Sequence, residues 1–177
     1  MTVIPNTEAQ SSKWRTIILI TLAFWVSGSL LLDLIVMPTL YATGMMAASD
    51  FATTGYSVFW IFNRIELLCA ALALTGVLVV RRTDLNASLP RWVVPLSVTL
   101  LALTLLYTYA LTPEMSSLGL QLNAFESSTE VPAAMNQMHM GYWLLELFKF
   151  GAAGALLGTY YNSMKREASS SIKDLSL

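Results

Sequence analysis

Asp33, Arg64, Glu66, Glu146 and Lys149 lie inside otherwise apolar stretches of a chain that is 55% hydrophobic and only 12% charged. A charge at membrane depth costs about 2.5–3.5 kcal/mol for Asp, Lys or Arg on insertion scales, so such residues are functional candidates by default. Glu146 and Lys149 are three residues apart, share a helix face and are expected to pair. Asn63 and Glu66 share a face of their own helix. Arg64, two residues from Glu66, must point elsewhere, with Asp33 or Glu146 as candidate partners. Three acids against two bases leave one carboxyl without a basic partner. The chemistry open to this layer is binding of a proton, a metal cation or a small polar solute. The plainer reading is a set of interhelical ion pairs and hydrogen bonds that fixes helix packing.

A second constellation is Met135, Met138, His139 and Met140, a Met-x-x-Met-His-Met string that also adds His139 to the polar layer. Thioether and imidazole ligands suit Cu(I), so copper is a candidate ligand; the plainer reading is Met as an adaptable filler of apolar contacts. A single Cys (Cys69) and a single His exclude an intrachain disulfide and a Cys/His zinc cluster. No nucleophile, base and oxyanion donor stand in a recognisable arrangement, so no enzymatic activity is expected. A net charge of −1 offers no footprint for nucleic acid.

The elements that must position these residues are helices. Four apolar segments, about residues 17–37, 58–80, 92–111 and 142–161, reach the ~20 residues that cross ~30 Å of hydrocarbon. Backbone groups in lipid must be satisfied within the segment, and no strand alternation appears. The expectation is an all-α fold, a four-transmembrane-helix bundle over residues 14–164 between polar tails at 1–13 and 165–177. Pro38 and Pro113 are expected to end the first and third spans. Gly151, Gly154 and Gly158 give the fourth span a smooth stripe for close helix approach.

Lys13 and Arg15, then Arg81, Arg82 and Arg91, then Lys165, Arg166 and Lys173 flank the spans, while the first and third loops hold no Lys or Arg. Both termini and the middle loop should therefore face the cytoplasm. That puts all five intramembrane charges in the outer half, with the inner halves uncharged. The Ser-rich tails are expected to be mobile. The long third loop, with Glu114, Glu126 and Glu130, is expected to carry a short amphipathic surface helix through Leu118, Leu120, Leu122 and Phe125. The Met45 and Met46 pair falls in the first loop.

The halves also match each other. Pro38 and Gly44 are six apart, as are Pro113 and Gly119, and Ile65-Glu66-Leu67 answers Leu145-Glu146-Leu147. This suggests two tandem helical hairpins related by a parallel repeat, its axis along the membrane normal.

The strings Leu-Asp-Leu-Ile-Val-Met-Pro-Thr-Leu-Tyr (32–41), Phe-Asn-Arg-Ile-Glu (62–66) and Met-His-Met-Gly-Tyr-Trp (138–143) resemble small four-span bacterial and plastid membrane proteins. Those are distantly like transmembrane-protein-205-like proteins and copper-resistance D-type membrane domains. The resemblance covers residues 14–164, and its strings are similar to cyanobacterial versions. It implies a plasma (bacterial inner) or thylakoid membrane and supplies no catalytic residues. The leading expectation is an interaction or assembly role in a membrane complex, such as a photosynthetic one, with a membrane-protein partner or a second copy in the bilayer. The rival class is a carrier or binder of a proton, copper ion or small solute. Its candidate residues are Asp33, Asn63, Arg64, Glu66, His139, Glu146 and Lys149.

Overall fold

The computed structural model describes residues 5–43, 51–83, 89–124 and 133–174, and all of its regular structure among these is helical. Four rods form. The first joins α1 (Pro5–Leu31) to α2 (Met37–Ala42) through a π turn at Leu32–Val36. The second is α3 (Phe51–Thr83). The third joins α4 (Val93–Leu106) to α5 (Thr112–Ala124) through a π turn at Tyr107–Leu111. The fourth is α6 (Ala133–Asp174).

Three stretches, Gln10–Ala42, Thr53–Thr83 and Val93–Leu118, are long and apolar enough to cross a membrane. The 42-residue α6 is long enough too, but Glu146 and Lys149 dilute its apolar run. The rods run up, down, up, down: α1 packs on α3 and α6, and α4 also lies against both. The direction is fixed by contacts such as Gly76 on α3, where an added Cβ would lie 2.6 Å from Ile18 and 3.3 Å from Trp14 on α1. All the basic flanking residues among the described ones consequently gather at one end of the bundle, hereafter the basic end.

Pro38 and Pro113 do not end their helices. Proline cannot donate to the carbonyl four residues back, and its ring crowds that carbonyl. Both rods absorb this by widening one turn just before the proline: the Met37 N–H donates to the Leu32 carbonyl and the Thr112 N–H to the Tyr107 carbonyl, five residues back. The helix therefore continues, and α5 prolongs the third rod where a separate surface helix was expected. The tails differ as well. Residues 5–12 and 165–174 extend α1 and α6, since neither contains a residue that would stop a formed helix. Gly44, Met45, Met46, Phe125, Glu126 and Glu130 lie outside the described residues.

The repeat runs deeper than its prolines. At the 75-residue offset from Pro38 to Pro113, the π turns coincide. Six buried residues of the first rod, Ile18, Leu22, Trp25, Ser29, Leu32 and Asp33, fall on Val93, Ser97, Leu100, Thr104, Tyr107 and Thr108, all buried. At the 80-residue offset from Glu66 to Glu146, Cys69, Ala73 and Val80 fall on Lys149, Ala153 and Tyr160, again all buried. A shared phase of burial in both helix pairs supports two tandem hairpins.

Along its axis the core divides in two. Toward the basic end it is an apolar cluster that includes Ile18, Leu22, Val77, Val93, Leu100 and Leu156. Toward the other, far end it is polar.

Candidate functional site

Trp25, Ser29 and Asp33 are spaced four apart, so they line one face of the first rod, and all three are buried. The face opens onto Glu66 of α3. Glu66 Oε1 accepts from Trp25 Nε1 at 2.9 Å, Ser29 Oγ at 2.7 Å and Lys149 Nζ at 2.5 Å. Lys149 also donates to Glu146 Oε1 at 2.8 Å, with Oε2 of the same carboxyl 2.7 Å away. One ammonium on α6 thus bridges two carboxylates from two helices. Glu66, Glu146 and Lys149 are each at least 98% buried, so bulk water cannot stand in for a lost partner. Removing one member of such a set is typically worth about 3–5 kcal/mol, because the survivor is left charged and unpaired.

Asp33 and Tyr107, one from each π turn, complete the centre. The Asp33 carboxyl borders that of Glu146, with Glu66 and Lys149 as further charged neighbours. The Tyr107 hydroxyl also borders Glu146. Asp33 Oδ2 and Tyr107 Oη are buried and make no hydrogen bond, while Glu146 Oε2 has its ion contact with Lys149 alone. Lys149 Nζ sits 5.6 Å from the centroid of the Tyr107 ring and 5.5 Å from that of Phe150, within cation–π range. On the far side Tyr107 leans on Tyr142 at 5.3 Å, and Tyr142 meets Phe59 edge-on at 6.2 Å. These rings roof the centre. The apolar cluster floors it.

The expected polar layer therefore forms, with departures. Arg64 is no part of it: it is half-buried, stacks over the Trp60 ring at 3.4 Å and donates to the Trp60 carbonyl at 3.2 Å. Two residues along a helix is about 200°, which turns Arg64 away from the face that carries Glu66. The centre thus holds three acids and one base, where three and two were expected. Asn63 is buried but belongs to a packing contact, donating from Nδ2 to Thr112 Oγ1 at 2.6 Å. His139 and Met140 are exposed near the start of α6 and Met138 is half-buried, while the Met135 side chain lies outside those described. His139 thus stands apart from the buried centre. Among the described residues, no group of three His, Cys, Asp or Glu is arranged to hold a metal.

Trp25 and Ser29 are neighbours of the centre that sequence reading passes over. Their signal was present in the four-residue spacing that runs from Trp25 through Ser29 to Asp33. Arg15, read as a flanking cytoplasmic charge, is instead buried at the basic end and donates from Nη1 to Ser163 Oγ at 2.5 Å. The glycine stripe of α6 faces away from the bundle: a Cβ at Gly151, Gly154 or Gly158 would meet nothing within 4 Å.

No family model, curated protein or solved structure matches this chain. The residues themselves carry the functional argument.

Proposed function

We propose that the chain is a four-span integral membrane protein of a bacterial inner or thylakoid membrane, whose buried charged centre binds a cationic species, a proton or a metal ion, from the far side. Support for a fourth span comes from the outward faces, where Leu144 and Leu147 of α6 are as exposed as Phe24, Leu34 and Leu68 on the other rods. Apolar side chains turned outward around a polar interior are what lipid selects. The gathered basic ends favour a cytoplasmic placement of both termini.

The observation that carries the binding reading is three buried carboxyls facing one buried amine. Such a centre lacks positive charge, which a bound cation supplies. Among the described residues an apolar cluster lines the basic side of the centre, which favours a binder over a channel. The test is the unfolding temperature of purified protein in detergent, scanned over pH and over added Na⁺, Ca²⁺ and Cu⁺. A shift with pH or with one of the cations, lost in Glu146→Gln, is expected. Wild-type protein indifferent to both overturns the reading.

A second reading, an interaction role with a second copy of this chain, is favoured by the outward glycine stripe. Two such stripes can bring helix backbones close. Gly154→Leu should then shift the protein to monomer in detergent sedimentation, and wild type that is already monomeric removes it.

A further inference from the structure

Resting on the binding-centre reading, we propose that Asp33 and Glu146 form an acid pair that holds one exchangeable proton beside the Tyr107 hydroxyl. Glu66 Oε1 already takes three donors. Both Glu146 oxygens lie within 2.8 Å of the Lys149 ammonium, whereas the neighbouring Asp33 keeps its buried Oδ2 without a hydrogen bond. Ionised carboxylates only accept, so two of them side by side cannot bond to each other; a single proton makes one a donor. Like charges so close in a dry site do not both persist.

The local charges select a proton over a metal ion. Glu146 Oε2 is 2.7 Å from the Lys149 ammonium, and a metal cation at that oxygen would face this charge at short range and low dielectric. A proton fits within the carboxyl pair itself. The groups that face it are Glu66 from α3, Tyr107 from the third rod, and Tyr142 and Lys149 from α6. Arg64 is turned onto Trp60. The exchange is acid–base only. An O–H bond forms on one carboxyl as hydronium gives up its proton, and it breaks as hydroxide takes the proton to form water.

Infrared difference spectra of the full chain in nanodiscs, titrated in H₂O and D₂O, test this. A protonated-carboxyl C=O band that moves down in D₂O and vanishes as pH rises is expected. It should be lost in Asp33→Asn and in Glu146→Gln. Wild-type protein carrying ¹³C in its aspartate side-chain carboxyls, or in a separate sample in its glutamate ones, should shift the band without any substitution, which covers a variant that fails to fold. Absence of the band in wild type, its survival in folded Asp33→Asn, or its insensitivity to both labels overturns the proposal. A missing band together with stabilisation by an added metal ion at fixed pH overturns the acid pair alone and leaves the binding centre standing. Neither band nor stabilisation overturns both.

Discussion

The two hairpins share a scaffold and differ in chemistry. Each has a rod widened by a π turn before a proline, then a returning helix with a buried glutamate at its polar level. At matched positions the first hairpin offers Trp25, Asp33 and Cys69 where the second offers Leu100, Thr108 and Lys149. The sole ammonium of the centre thus belongs to one hairpin. Two of its three carboxyls and both further donors to Glu66 belong to the other. A backbone pattern common to both hairpins fixes where side chains meet. What they do there depends on substitutions that break the symmetry, and the one positive charge of the centre is shared between hairpins.

The sharpest way to break this comparison is Lys149→Met, which keeps length and removes the shared charge. A loss of about 3–5 kcal/mol is expected from leaving two buried carboxylates unpaired, read by thermal unfolding in detergent. The opposite result, a protein as stable as wild type, would mean that the hairpins are held by packing alone. The matched glutamates should then separate. Glu66→Gln loses charge-assisted bonds from three donors and should cost about 1.5–3 kcal/mol; Glu146→Gln should cost less, since Lys149 is its one hydrogen-bond donor. Equal costs would show that the asymmetry has no energetic content.

Gly76→Ala probes the basic end, where sterics and not charge decide. The added Cβ would lie 2.6 Å from Ile18, and overpacking of about 1–3 kcal/mol is expected from unfolding curves. The matched prolines should give the smallest effect. Pro38→Ala and Pro113→Ala should each change stability by less than about 1 kcal/mol, because each π turn already accommodates its ring and what is lost is chain stiffness. A large cost at one alone would show that the two π turns are not equivalent.

Much of this was legible because periodicity reports faces. The apolar runs located the rods and the three-residue spacing of Glu146 and Lys149 gave their contact, whereas the count of charges failed because it included Arg64. The pairing of Lys149 with Glu66 was not, because a face does not say which face it meets. Arg64 misled for a related reason: an ionisable residue within an apolar run can lie on the bundle's outside when an aromatic ring such as Trp60 lies one turn away. The π turns were hidden behind a sound rule, since proline usually ends a helix unless the turn before it widens.

Lys149 also has a place in time. It lies on the fourth rod, synthesised after the second, which carries Glu66. The first hairpin therefore enters the bilayer with a carboxyl held by Trp25 and Ser29 but without its counter-charge, until α6 arrives. A chain cut before α6 would leave that carboxyl without its counter-charge, so the fourth rod completes what the second leaves open.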